Sequence, residues 1–418
     1  MQSKGRYLWL LQNALKKIWV RVAGFALLAI VSLVMARVFS GRLPVELTQR
    51  SGAAVLEDLL TILASSMLAV TTFSLSIAVS AFASAASSAT PRATALLQED
   101  NTTQNVLATF IGSFLFSLLG LIALSAGLYD ESSRAVLFAF TIAVIVWVIV
   151  ALIRWTNHLM SFGRMGDTLG RVEKAATKSL AARIDNPYLG GRPFLNALPQ
   201  GQQVCATEAG YVQHIDMPAL QSIADNAGTK IYLCQLPGHF VYPGKPLMVV
   251  TGTQLVSEAV SEACSAVVVG AVRTFEDDPR FGLIVMAEIA SRSLSPAVND
   301  PGTAIDVVGR LLRVLSLWSE RNEPEPGFPD IHVPVVSVND LVTDAFRPIA
   351  RDGAALVEVQ CRLIKALLAL KSQAPDVFGE AVNDMLAYIL DRMNAAGVAP
   401  ADMDEVIKID GVVQLSDS

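Results

Sequence analysis

The sequence predicts an α-helical membrane domain of four transmembrane helices, followed by an α+β cytoplasmic domain with a small β-barrel-like unit and a helical C-terminal part. Three observations carry that expectation. Of the 418 residues, 52% are hydrophobic and only 17% charged, too apolar a balance for a protein that is soluble throughout. Up to about residue 155, long uncharged runs alternate with short charged connections. From Val204 onward the apolar runs shorten and are cut by glycine and proline, as in a compact mixed domain. The four cysteines, Cys205, Cys234, Cys264 and Cys361, all fall in that second part without any CxxC spacing. This argues against a zinc or redox motif and suits free thiols in the cytoplasm.

The chain opens with a basic amphipathic segment, residues 1–21, carrying Lys4, Arg6, Lys16, Lys17 and Arg21 and no acid. Such a segment suits the surface of the inner leaflet, and no small-residue cleavage site follows it. The membrane domain is expected over residues 22–158, with spans at about 22–40, 59–88, 105–129 and 135–155. The first is the shortest: fifteen uncharged residues separate Arg21 from Arg37, both of which can snorkel outward. The connection from Gly41 to Asp58 contains Pro44 and mixed charges and reads as external.

The second span is the most unusual. No charge interrupts residues 59–91, so a helix there runs about 50 Å at ~1.5 Å per residue, longer than the ~30 Å bilayer core. Thr72, Ser76, Ser80, Ser84 and Ser88 recur at every fourth position and form one hydroxyl stripe. Two readings stand side by side: a tight interhelical packing seam whose hydroxyls bond back to their own helix, and a pore wall around a symmetry axis. Arg92–Gln104 is polar enough to return at the inner face. The third span, Asn105–Tyr129, has Gly112 and Gly120 spaced for close helix approach. Asp130, Glu131 and Arg134 then mark a tight outer turn before the fourth.

Orientation follows from the basic residues. Residues 154–192 contain seven (Arg154, Arg164, Arg171, Lys174, Lys178, Arg183, Arg192) against three acids (Asp167, Glu173, Asp185). With the basic N-terminal segment, this predicts both termini inside a bacterial inner membrane. Residues 159–203 are expected as a helical stalk and linker, 204–252 as the small β-unit, and 253–418 as a mainly helical domain. The dipeptides Pro237-Gly238 and Pro243-Gly244 bracket HFVY as turn signals within the β-unit.

The richest soluble stretch is RTFEDDPRFGLIVMAEIASRSLSPAVNDPGTAID, residues 273–306. Phe281–Leu294 reads as a helix stopped by Ser295-Pro296. Asp300 ahead of Pro301 has the form of an N-cap followed by proline at the first helical position. The candidate functional corner comprises Arg273, Asp277, Asp278, Ser295, Pro296, Asn299, Asp300 and Pro301. Dense caps and turns explain most of it; the competing reading gathers Glu276, Asp277, Asp278, Glu288, Asn299 and Asp300 about a cation, although no calcium-loop spacing is present.

This run, with GYVQHID and PGHFVYPGKPL upstream, resembles a bacterial predicted-membrane-protein family of unknown function, domain of unknown function 2254. FSLSIAVSAFASAASSATPRA and LATFIGSFLFSLLGLIAL fit that family's membrane half, and SPAVNDPGTA is the most specific string. The resemblance implies a multi-span membrane half joined to a cytoplasmic domain, and no catalytic residue. PGHFVYPGKPLMVV also looks like half of a lipoyl- or biotinyl-type hybrid barrel, without the modified-lysine hairpin of those carriers.

His158, His214, His239 and His332 form no HxxxH or HExxH; His158, just inside the membrane near Arg154, stands apart. No nucleotide-loop or hydrolase motif is present, so no catalytic residue, metal or cofactor is assigned and the chain is not expected to be an enzyme. No basic stripe interleaved with aromatics points to nucleic acid. The expected partners are the lipid bilayer and further copies of the chain. The expected role is a homo-oligomeric channel or conduit with a cytoplasmic vestibule or gate; the competing classes are a non-conducting sensor or scaffold and a membrane enzyme using the acidic cluster.

Overall fold

The computed structural model describes residues 18–39, 53–98, 100–129, 131–160, 163–194, 197–319 and 324–409. Most of the basic N-terminal segment and most of the first connection lie outside them. The contacts divide the chain after Thr168 into two compact units.

The first unit is helical: α1 (Ile18–Phe39), α2 (Ala53–Ser88), α3 (Pro91–Gln98), α4 (Asn101–Ser125) and α5 (Glu131–Leu159). Among the described residues, three helices are long and apolar enough to cross a membrane, within Ala54–Ser87, Thr102–Ser125 and Arg134–Leu159. The apolar stretch of α1 is shorter, Val22–Ser32. α2 runs for 36 residues, about 54 Å at ~1.5 Å per residue. Its first half contributes Leu56, Leu60, Leu63 and Met67 to a core shared with Phe110, Phe116, Leu137 and Trp155. Its second half packs Ala78 and Ala85 against Leu97. Gly112 is where α1 meets α4: a Cβ there would collide with the Phe25 ring. Phe25 in turn meets Trp147 of α5 edge-on at 6.3 Å. Gly120 faces Leu60 of α2. Both glycines sit at close helix approaches, as their spacing predicts.

The second unit contains α6 (Met165–Asp185), β1 (Arg192–Phe194), β2 (Gln202–Cys205), β3 (Gly210–Ile215), α7 (Met217–Ala227), β4 (Thr229–Leu233), β5 (Phe240–Val241), β6 (Pro246–Gly252), α8 (Ser257–Ser265) and β7 (Val267–Gly270), then α9 (Phe281–Ser293), α10 (Pro301–Ser316), β8 (Ile331–Pro334), α11 (Val338–Asp352), α12 (Val357–Gln373), α13 (Pro375–Ala395) and α14 (Pro400–Ile407). The strands form a five-stranded sheet in the order β1-β8-β4-β6-β2 and a three-stranded sheet in the order β5-β3-β7. β8 runs parallel to both its neighbours, and β4, β6 and β2 are antiparallel. Ile231, Met248, Val250, Ile331 and Val333 pack with Leu220 and Ile223 of α7 in a single core.

The small barrel-like unit expected from residues 204–252 is thus a pair of sheets that recruit strands from outside that span. Two boundaries shift with it. The stretch expected as a linker supplies β1, whose Arg192 and Phe194 pair with His332 and Pro334. α6, expected as a stalk, packs into this unit. Leu169, Val172, Ala176, Leu180 and Arg183 are buried along one of its faces, and Gly282 of α9 approaches the Ala176 backbone so closely that a Cβ would clash. Glu173 of α6 also receives Arg310 and Arg313 of α10 at 2.7 and 2.8 Å. An amphipathic helix reads the same whether its apolar face meets solvent-exposed neighbours or a core, so the sequence pattern alone did not separate stalk from domain.

Candidate functional site

The hydroxyl stripe has a definite position. Thr72, Ser76, Ser80 and Ser84 are exposed, whereas Ser74, Ala78 and Ala85 are buried. At 100° per residue these two sets lie on opposite faces of α2. The stripe therefore turns away from the helices of its own unit and shares its open face with Phe73, Leu75 and Val79, each more than half exposed. Thr72 donates to the Ala69 carbonyl at 2.9 Å and Ser76 to the Thr72 carbonyl at 3.0 Å, the local bonding available to hydroxyls in an apolar setting. Ser88 closes α2, and its side chain lies outside the described residues.

The seam within the chain is carried by a different helix, and sequence reading missed it. Thr109, Ser113 and Ser117 repeat at every fourth position of α4 and are all buried. Thr109 donates to Asn105 O at 2.8 Å and Ser117 to Ser113 O at 2.9 Å. The repeat was visible in the sequence, but fewer hydroxyls among larger apolar neighbours gave it less contrast than the stripe on α2.

His158 joins the two ends of its unit's helix pair. Its Nε2 lies 3.0 Å from Asp100 Oδ2 and 3.2 Å from the Thr103 hydroxyl. Asp100 caps α4 by accepting from the Thr103 amide at 2.7 Å. The His158 contact ties the last turn of α5 to the first turn of α4.

The candidate corner resolves into two places at opposite ends of α9. That helix has 13 residues, so its ends stand about 20 Å apart at ~1.5 Å per residue. At its N-terminus, Asp278 is buried. Its Oδ1 accepts from the amides of Arg280 and Phe281 at 3.0 and 3.2 Å, and its Oδ2 receives Arg273 Nε at 2.8 Å. Burial pushes the Asp278 carboxyl above the usual carboxylate range, while the Arg273 guanidinium and the two amides act in the opposite sense. Asp277 Oδ2 lies 2.6 Å from Nδ1 of His214 in β3, and its carbonyl accepts from Arg183 of α6 at 3.1 Å. Burial lowers the Arg183 guanidinium from its ordinary value, and Asp277 and Asp278 oppose that shift. Arg280 reaches the other way, to Asp344 and Asp340 of α11 at 2.6 and 2.7 Å.

Gly238 completes this junction. It has φ +94°, and a Cβ there would collide with the Asp278 carboxylate and the Arg273 guanidinium, so both its backbone and its lack of a side chain are needed. The loop from Arg273 to Arg280 is therefore a tie between the three-stranded sheet, α6, α9 and α11. Arg183, His214, Gly238, Asp340 and Asp344 belong to it. Only the turn dipeptide at Gly238 signalled any of these in the sequence.

At the other end of α9, Ser295 donates to Arg292 O at 2.7 Å, and its own carbonyl accepts from Val298 and Asn299. Asn299 takes a left-handed φ of 49°, which asparagine tolerates better than most residues. Asp300 then caps α10, accepting from the Thr303 amide at 3.1 Å and its hydroxyl at 2.6 Å, with Pro301 at the first helical position. Those Thr303 bonds hold the Asp300 carboxyl below its ordinary value. Glu276, Asp277 and Asp278 thus do not converge with Asn299 and Asp300. Among the described residues, no group of three His, Cys, Asp or Glu is placed to hold a metal ion.

Comparison with known proteins bears on this arrangement. The family model described as "Predicted membrane protein (DUF2254)" matches residues 16–369. An uncharacterized protein of Mycobacterium bovis and one of Mycobacterium tuberculosis are each 30% identical over 240 residues, covering 53% of this chain. The match spans 44% of each relative, less than half of its length. No solved structure matches the chain.

Proposed function

The chain belongs to the DUF2254 family of predicted membrane proteins, and on that premise we propose that it is a homo-oligomeric channel or conduit of the bacterial inner membrane, with the second unit as a cytoplasmic vestibule or gate. One observation carries the reading: the hydroxyls of Thr72, Ser76, Ser80 and Ser84 lie on the outward face of α2, while its small-residue packing face is used within the unit. A face that alternates hydroxyls with Phe73, Leu75 and Val79 suits contact with another copy around a water-filled axis better than uniform lipid. In this reading α1 is the fourth span: it docks on α4 and α5 through Phe25. Four spans put both termini in the cytoplasm. No catalytic role is assigned to either end of α9, where caps and ion pairs engage the acidic side chains described above.

A second reading, a non-conducting sensor or scaffold, is favoured by Thr72 and Ser76, which satisfy their hydroxyls on their own helix and do not require water. Thiol accessibility and conduction separate the two. Single cysteines at positions 72, 76 and 80, in a chain cleared of its own cysteines, react with a membrane-impermeant thiol reagent in the channel reading. Ser80→Leu assembles but loses flux in reconstituted bilayers. Inert thiols together with no wild-type conductance would leave the scaffold reading standing.

A further inference from the structure

The outward face of the five-stranded sheet brings together residues that are far apart in sequence. In one row across the strands, Arg192 of β1 pairs with His332 of β8, His332 with Tyr232 of β4, Tyr232 with Val249 of β6, and Val249 with Gln203 of β2. Tyr232 and His332 are stacked, with centroids 4.3 Å apart and planes within 7°. Phe194 meets Tyr232 edge-on at 5.8 Å. Lys230 lies on the same face as Tyr232, two residues earlier in β4. Arg192 and Lys230 are exposed, while His332, Tyr232 and Phe194 are half-buried. The opposite face of these strands, with Ile231, Ile331 and Val333, fills the core.

Two features of this face ask for something the described residues do not supply. His332 Nε2 is shielded from water and has no hydrogen-bond partner among the described residues, an arrangement that costs free energy unless a partner arrives. Two cations flank it, and the nearby acid, Asp330, is engaged by Gln221 of α7 at 2.9 Å. Burial lowers the His332 pKa, and Lys230 and Arg192 lower it further, with Asp330 in opposition. The ring is therefore neutral at pH 7 and presents a polar edge, not a third cation.

We propose that this face binds a nucleotide, with the base stacked against the Phe194–Tyr232–His332 aromatic group and hydrogen-bonded to His332 Nε2, and the phosphates held by Arg192 and Lys230. Aromatic rings accept bases through their π-faces, and a guanidinium and an ammonium are the usual phosphate ligands. The inference stands apart from the conduit reading, because it uses no residue of the first unit.

The test uses the full chain in detergent micelles, with N-methylanthraniloyl-labelled ADP as the probe. The labelled probe binds saturably, and unlabelled ADP displaces it at least tenfold better than adenosine or pyrophosphate, since each of these carries only half of the recognised chemistry. Arg192→Gln, on an exposed edge strand, weakens binding about tenfold without moving the melting midpoint. His332→Phe keeps a ring in the stack but removes the nitrogen, and also weakens binding. Tyr232→Leu weakens it by tenfold or more, the scale of one lost base–aromatic stack. The proposal is overturned if the wild type shows no saturable binding, or if Arg192→Gln and His332→Phe both bind as the wild type does. It is also overturned if adenosine competes as well as ADP, or if a short single-stranded RNA competes far better, which would make the face an RNA surface.

Discussion

Asp300 and Asp278 are one residue type doing one local job in two settings. Each accepts amides at a helix start, but Asp300 is the N-cap of α10, exposed and satisfied by Thr303. Asp278 lies two residues before Arg280, the N-cap of α9, and is buried and tied to Arg273. Asp300→Ala should cost about 1 kcal/mol of stability at neutral pH, the usual loss of a cap. Its pH dependence has a definite sign. The Thr303 hydroxyl and amide depress the folded carboxyl, so its stabilisation is present above the unfolded carboxylate range of about 4 and is lost as pH falls below it. Exposure keeps that contribution small. Chemical denaturation of the wild type and Asp300→Asn between pH 7 and pH 3 checks this. Asparagine keeps the cap but flattens the acid limb; identical limbs in the two proteins would remove Asp300 as the cause. The cap itself was legible in the sequence, because Asp before Pro-Gly-Thr encodes it within four residues. The partners of its neighbours Asp277 and Arg280 were not legible, because Arg183 comes from α6, His214 from β3 and Asp340 and Asp344 from α11, and no local pattern links them.

Elements follow the same division. α1, α2, α4 and α5 were readable as uninterrupted apolar runs, and α11, α12 and α13 as part of the mainly helical domain expected over residues 253–418. β1 and β7 were not. β1 is three residues long and holds only by parallel pairing with β8, more than a hundred positions away, and VVVG of β7 sits inside a run that reads as helix. α1 tests how much the packing of one element matters. Gly112→Val places methyls where the Phe25 ring lies, an overpacking expected to cost ~1–3 kcal/mol. Phe25→Ala in the same chain should recover part of that loss. Unfolding in detergent followed by tryptophan fluorescence reads both, aided by Trp147 at the Phe25 ring. If Gly112→Val leaves the midpoint unchanged, α1 is not docked on α4 in the micelle.

For the whole molecule, the number of spans decides which side of the membrane each end occupies. Reporter fusions at Ser51 and Ser132 should read external, and fusions at Asn101 and Gly201 internal; an internal signal at Ser51 with the other three unchanged would remove α2 as a span, and an external signal from a reporter placed before α1 would remove α1. By itself the sequence determined that this is a membrane protein with a separate α+β part, because bilayer thickness and helix rise are fixed lengths that composition along the chain must match. It also determined where caps and turns fall, because those bonds close within a few residues. Only the tertiary structure decided which way the α2 stripe faces, that the seam belongs to Thr109, Ser113 and Ser117, that α6 is core and not stalk, and that Arg192, Lys230, Tyr232 and His332 share one surface. Each of those depends on which distant face covers a given residue. A periodic pattern states that a helix or strand has two sides, and only packing against the rest of the chain chooses between them.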